Sequence, residues 1–418
     1  MGNIINREFY TGNRKELYES LEPGVAVVMF SGRAPRKTND EDYPFFAHRN
    51  FVYLTGIEQA GTVLMARVEE GGFDEKLFIL PADLLAERWT GRRIKANEAE
   101  EISGVLSYGY VDEFKEELKR MLRSGQITKV YLDFDESFFG DGGNEADRLS
   151  AELKEGFPYV AIGNLHPKLK KLRTIKKPCE IEAMREAERI TRLGIEAMMR
   201  ASKPGMYEYQ YKAEYDYALA QEGVLVPGFP SIISAGENNF CIHYNSYRGQ
   251  AKDGDMVLND VGAVWEHEIT DVSRGWPCNG KFSERQRLLY ECALHTSNYM
   301  FETLKPGIPM SDVDRMIRKY NFEQLREAGV CKDYEEIGTY MWHGGAHHIG
   351  LDVHDVVDVK DRLTEPGMVF CVDVGIYHEE WGIGFRLEDN CLITADGCEN
   401  LSGAIPRTVE EIEGVMGR

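Results

Sequence analysis

The chain has 418 residues, 43% of them hydrophobic, so it can bury a large core, and its length predicts two or three domains. Its 70 acidic against 49 basic residues leave a formal net charge of −21, which excludes a nucleic-acid backbone or an anionic membrane surface as its main partner. No uncharged run is long enough to span a membrane, so a chain with no membrane partner is expected.

The opening, MGNIINREFYTGNRKELYES, has no apolar signal core. Its Met-Gly start does not meet the myristoylation pattern, because Asn6 stands where Ser or Thr is needed. Residues 1 to about 165 then read as alternating strands and helices. Strands are predicted at 25–30, 50–55, 63–68, 76–80 and 129–134, with helical patterns between them, as at 112–123. This is α/β sequence of domain size. The basic segment 166–178, HPKLKKLRTIKKP, carries two prolines and reads as a linker. An α/β N-terminal domain over 1–170 and a second domain over 171–418 follow from it.

Pro178 starts an amphipathic helix over 180–201, in which Ile181, Met184, Ile190 and Ile195 share an inward face. Helices at about 207–222, 284–303 and 311–328 follow, the second opened by the capping-box sequence Ser283 to Gln286. Strand runs recur at 256–264, 268–274, 368–373 and 384–394, so the second domain is α+β. The eight cysteines, at 179, 241, 278, 292, 331, 371, 391 and 398, form no CxxC pair. That argues against a zinc ribbon or a redox motif, and reduced thiols in a cytoplasm are expected.

Four stretches of the second domain carry the chemistry. In 256–277, MVLNDVGAVWEHEITDVSRGWP, Asp260 and Asp271 each follow an apolar run. A hairpin between them would bring both carboxylates to one face, where a cation could offset their repulsion. Two solvated strand carboxylates would be the simpler account if the stretch stood alone. In 343–355, HGGAHHIGLDVHD, lie four of the ten histidines. Histidine is the commonest metal ligand and a proton carrier near neutral pH. HExxH is absent, and Gly344-Gly345 opposes a zincin-like helix. Spacing alone does not say which histidine binds metal. Asp373 sits in the apolar strand FCVDVG, and Glu388 beside Asp389 in FRLED. Three aspartates, a glutamate and a histidine are an oxygen-rich set suited to Mn²⁺, Co²⁺ or Zn²⁺ in a two-ion centre.

The order Asp, Asp, His, acid, Glu resembles that of the pita-bread metallopeptidases, and within them the aminopeptidase P family. The likeness covers nearly the whole chain. It runs through YPFFAHRNFVYLTG (43–56) and ERWTGRR (87–93) in the first domain. In the second it runs through KKPCEIEAMREA (176–187), SAGENNFCIHYN (234–245), DGDMVLNDVGA (253–263) and DVSRGWPCNGKFSERQ (271–286). The resemblance implies a pita-bread catalytic domain and a metal-dependent Xaa-Pro aminopeptidase, cytoplasmic, acting on peptides with proline in second position. It implies two divalent ions, Mn²⁺ foremost with Co²⁺ or Zn²⁺ as alternatives, held by Asp260, Asp271, His347, Asp373 and Glu388. Asp271 and Glu388 would bridge, Asp260 would complete one ion, and His347 with Asp373 the other. His243, His354 and His343 would serve catalysis at the scissile peptide. Tyr377 and Arg386 would orient Asp260, and Ser273 stands where the family has a threonine. Trp89, in ERWTGRR, would reach a neighbouring subunit of a homodimer or homotetramer, or else pack within its own domain. A dipeptidase of the prolidase kind and a non-catalytic peptide-binding relative are the alternatives. One departure stands out: Asp373-Val374-Gly375 replaces the family's Glu-Pro-Gly. Aspartate is one methylene shorter, about 1.5 Å, so the second ion is expected to bind more weakly.

Overall fold

The computed structural model describes residues 4–134 and 143–417, and the chain divides into two compact units, one up to Leu172 and one from Arg173 onward. The Met-Gly opening lies outside the described residues. The first unit is built on β1 (Val25–Phe30), whose six residues VAVVMF are almost wholly buried. It pairs antiparallel with β2 (Val63–Glu69), which pairs antiparallel with β3 (Gly72–Ile79), and β3 takes β4 (Tyr108–Tyr110) in parallel. On its other side β1 pairs in parallel with β5 (Lys129–Leu132), and β5 with β6 (Ala161–Asn164). The sheet order is therefore β4-β3-β2-β1-β5-β6. Phe78, Phe114, Leu118, Leu122 and Val130 fill the core on one side of it.

Two expectations for this unit are corrected. Residues 50–55 are not a strand but part of the helix Arg49–Thr55. All seven of its residues are buried, so no polar side breaks the run, and a short continuous apolar stretch carries no period to tell helix from strand. The supposed linker at 166–178 contains the helix His166–Thr174. Its Leu169 is buried beneath the lysines. Pro167 and Pro178 each sit at the start of a helix, the second being Pro178–Ala201, where a missing N–H costs nothing.

In the second unit five antiparallel strands stand in the order β12-β13-β11-β8-β7, with β14 (Cys398–Asn400) on β13. They are β7 (Ile232–Ala235), β8 (Met256–Val261), β11 (Val272–Pro277), β12 (Val369–His378) and β13 (Ile383–Ile393). The expected strands 256–264 and 268–274 are each split. Between β8 and β11 a small hairpin of β9 (Val264–Trp265) and β10 (Glu268–Ile269) turns at Glu266 and His267, both at positive φ. Asp271 thus lies just ahead of β11 and not inside a strand. Gly262 lets the two legs meet, since a Cβ there would lie 1.7 Å from the Thr270 carbonyl oxygen. The helix Pro178–Ala201 packs on Glu208–Gln221, and Glu284–Thr303 packs on Met310–Glu327. Ser283 caps Glu284–Thr303 as expected: its hydroxyl accepts from Gln286 N, and Gln286 Oε1 accepts from Ser283 N at 2.9 Å. Among the described residues no helix is long and apolar enough to cross a membrane. All eight cysteines are free.

Candidate metal centre

The register of the second sheet builds the site. Asp260 on β8 pairs with Ser273 on β11, Ser273 with Glu388 on β13, and Glu388 with Asp373 on β12. Residues directly opposite one another point to the same face, and neighbouring strands lie about 4.8 Å apart. Four side chains thus form a row across four strands. The period of two puts Arg386 and Cys371 on that face, each two residues before a member of the row, and Tyr377 four after Asp373. The loop that follows Tyr340 brings His343 and His347 over the row. It is tied down by Cys371 N donating to the His347 carbonyl at 2.8 Å and by Asp373 N donating to the Gly345 carbonyl at 2.9 Å.

In each carboxylate of the row one oxygen is held by the protein. Asp260 Oδ2 takes Arg386 Nη2 at 2.7 Å, and Glu388 Oε2 accepts the Ser273 hydroxyl at 2.9 Å. Asp373 Oδ2 lies 3.1 Å from His343 Nδ1. Asp271 Oδ2 lies 3.5 Å from His347 Nε2, which is also 3.3 Å from Glu388 Oε1. The remaining oxygens, Asp260 Oδ1, Asp271 Oδ1, Asp373 Oδ1 and Glu388 Oε1, are buried and make no hydrogen bond. Buried acceptors in native proteins are otherwise almost always satisfied. Burial, then Glu388 and Asp260, push the Asp271 carboxyl well above its ordinary range. Burial and then Asp373 push Glu388 up to about 7. Carboxylates so arranged repel one another unless a cation joins them. The donor set fits a divalent ion: one ligand atom from each of Asp271, His347, Cys371 and Glu388 lies within 4.8 Å of every other.

Around this set the expected catalytic residues are gathered in part. The His347 and His354 rings are 4.2 Å apart, centre to centre. Burial, then the nearby charges of His347 and His243, hold the His354 pKa below its ordinary value. His243 and His354 are both exposed. His343 Nε2 meets the Tyr377 hydroxyl at 3.0 Å, and Arg386 Nη1 donates to that same hydroxyl at 3.0 Å. Burial opposes protonation of His343, but Asp373 outweighs it and raises its pKa to about 9. Gly375 is required beneath that ring, since a Cβ there would fall 2.3 Å from His343 Nε2. Arg386 also donates to the Ile242 carbonyl at 3.2 Å and so anchors the segment that carries His243. Trp89 belongs to the first unit. It is 83% exposed on the helix Leu84–Thr90, none of whose residues is buried, so it does not pack within its own domain.

Three residues of the site carry no signal in the sequence. Cys371 was one of eight scattered cysteines, although its place two before Asp373 on a strand puts it on the ligand face. Asn390 accepts from Asp271 N at 3.1 Å and donates to the Asp271 carbonyl, fixing a ligand that lies outside any strand. Arg274 lies on the opposite face from Ser273 and holds the Ser273 and Glu388 carbonyls at 2.9 and 2.8 Å.

Comparison with known proteins shows the family to which the chain belongs. Residues 182–395 match the model of metallopeptidase family M24, and residues 10–131 that of the aminopeptidase P N-terminal domain. A Xaa-Pro aminopeptidase of Haemophilus influenzae is 30% identical over 99% of this chain and 98% of its own length. A solved structure of a candidate aminopeptidase P from Bacillus anthracis is 34% identical and superposes with a TM-score of 0.97 over 99% of both chains. Aminopeptidase P from Escherichia coli, solved with the inhibitor Pro-Leu, is 30% identical. Its TM-score is 0.90 over 99% of this chain and 98% of that one.

Proposed function

The chain belongs to metallopeptidase family M24 and is a metal-dependent peptidase, and from that premise we propose that it releases the N-terminal residue from peptides with proline in second position. The observation that carries the chemistry is the set of buried carboxylate oxygens on Asp260, Asp271, Asp373 and Glu388 that make no hydrogen bond, with Asp271 and Glu388 gathered beside His347. The proline preference rests on the full-length likeness to Xaa-Pro aminopeptidases. We assign Asp260, Asp271, His347, Asp373 and Glu388 as the residues that would hold two ions, Asp271 and Glu388 being placed to serve both. Two divalent cations, Mn²⁺ foremost with Co²⁺ or Zn²⁺ as alternatives, would supply the Lewis acid that polarises the scissile carbonyl and lower the pKa of the attacking water.

The chain's own residues do the rest. Arg386 and Ser273 each hold one oxygen of a carboxylate, so that the other is presented in a fixed direction. Tyr377 and Asp373 grip the two nitrogens of His343 and set its ring over Gly375. His354, kept neutral near pH 7, and His243 offer N–H groups at the exposed mouth to the oxygen on which charge develops. Alanine at His243 or His354 is expected to cut turnover by roughly 10²–10⁴ with metal content unchanged. A folded, metal-replete variant with full turnover would take that histidine out of the mechanism.

Hydrolysis of Xaa-Pro-Yaa, Xaa-Pro and Xaa-Ala-Yaa peptides with metal restored after chelation tests the reading. Cleavage of the first ahead of the third supports it. Cleavage of the dipeptide alone points to a prolidase, and no cleavage with any metal to a binding protein. We further propose that the enzyme works in the cytoplasm as a homodimer or homotetramer. Leu84, Leu85 and Trp89, at 78%, 68% and 83% exposure on one short helix, favour an apolar face that meets another copy. The solution mass is expected to be a multiple of 47.6 kDa and to fall in Trp89→Glu. A monomeric mass with full activity would rule this assembly out.

A further inference from the structure

We propose that Cys371 coordinates the cation on the His347 side, giving this centre one sulfur donor; the assignment rests on the metal-centre reading above and extends it. Cys371, Asp271, His347 and Glu388 close to within 4.8 Å of one another, whereas Asp373 is not in that group. Donors bound to a common ion at about 2.0–2.3 Å lie within about 4.6 Å of one another, so four atoms already within 4.8 Å need only a small closure to share one ion. Asp373 has turned one oxygen to His343 Nδ1, at 3.1 Å.

A buried thiol more often behaves as a small apolar side chain, and one side of Cys371 does pack with Met184, Ile349, Val369 and Leu392. Its other side is different. Asn390 Nδ2 reaches Cys371 Sγ at 3.5 Å, and this Asn390 is also the residue that pins Asp271. Cys371 N is tied to the His347 carbonyl. Three members of the group are thus fixed to one another through backbone or amide contacts before any ion arrives. When the ion binds, the S–H bond breaks, its proton leaves to solvent and a sulfur–metal bond forms, with no change of oxidation state. A soft donor in an otherwise oxygen-rich shell shifts preference from Mn²⁺ toward Zn²⁺ and Co²⁺.

The test is titration of the metal-free full-length protein with Co²⁺, read by near-ultraviolet absorbance. A sulfur-to-cobalt charge-transfer band should grow to saturation, and in Cys371→Ser it should be lost while cobalt still binds. The ratio of Zn²⁺ affinity to Mn²⁺ affinity should fall in the same variant. X-ray absorption of the zinc-loaded unmodified protein needs no variant and should show one sulfur at about 2.3 Å. Cobalt bound without the band, a band that survives in Cys371→Ser, or a zinc shell of nitrogen and oxygen only would each overturn the assignment. A chain that takes up no cobalt at all would overturn the metal-centre reading together with it.

Discussion

Asp271→Asn is expected to lose peptide hydrolysis by more than the roughly 10²–10⁴ that removal of an acid–base group costs, and to lose bound metal with it. The substitution keeps the size of the side chain and removes its charge. Asp271 is 4% exposed and has an oxygen with no hydrogen bond, and His347 Nε2, 3.5 Å from its other oxygen, is the contact that offsets its charge. Its backbone is held on both sides by Asn390, which the substitution does not touch. The sign of the stability effect separates a ligand from a structural carboxylate. Burial, Glu388 and Asp260 raise the Asp271 pKa, so in the metal-free protein its ionised form works against folding above its ordinary range. Removing that charge should leave the metal-free protein as stable as before or more so, while the rise in melting temperature on adding metal disappears. Glu388, pushed up to about 7 for the same reason, should behave alike in Glu388→Gln. Near-normal turnover in Asp271→Asn, or a metal-free variant that unfolds more easily, would show that Asp271 is not a ligand.

Much of this site can be read from the sequence, because each ligand is a polar residue where apolar ones are expected. Asp260, Asp271, Asp373 and Glu388 interrupt or border apolar runs, and His347 lies in a cluster of histidines. What cannot be read is register. Nothing local says that Ser273 pairs with both Asp260 and Glu388, since pairing is decided by strands far apart in the chain. β11, β12 and β13 are buried along their whole length, so no polar alternation marks the ligand face, and Cys371 passes unnoticed. The same loss of contrast makes residues 50–55 look like a strand. The basic segment before Pro178 misleads for the opposite reason: its lysines and prolines outweigh Leu169, although proline belongs as much to helix starts as to linkers. Of the neighbours Glu388 and Asp389, only the period of two could say that they serve different faces.

That second carboxylate should carry the largest stability effect in the site. Asp389 is fully buried opposite Glu388, its Oδ1 2.7 Å from Arg274 Nη2 and its Oδ2 3.0 Å from Arg407 Nη2. The Ser402 hydroxyl donates to Oδ1 at 3.0 Å. Arg274, also fully buried, meanwhile grips the Ser273 and Glu388 carbonyls, so this cluster locks β11 to β13 at the rung that carries two members of the metal row. Removing one partner of a buried pair leaves the other charge uncompensated and costs about 3–5 kcal/mol. Asp389→Ala is therefore expected to lower stability by about that much, a large share of the ~5–15 kcal/mol that holds a domain folded. Burial raises the Asp389 pKa, but Arg274 and Arg407 outweigh it and hold the carboxyl at about 2, below its ordinary value of 3.8. A depressed pKa contributes stability above the unfolded value, and that contribution is lost as pH falls from about 4 to about 2. Denaturant titrations at pH 7 and near pH 3 should then show the gap between unmodified protein and Asp389→Ala narrowing in acid. Tryptophan fluorescence can follow them, since Trp276 is buried in β11. Metal affinity in Asp389→Ala should fall only as far as the rung loosens, and replacing both Asp389 and Arg274 by apolar residues should recover part of the stability without restoring the register. An Asp389→Ala protein as stable at pH 7 as its parent would mean that the Ser273, Glu388 and Pro406 carbonyls alone satisfy Arg274, and that the carboxylate is not what fixes β11 against β13.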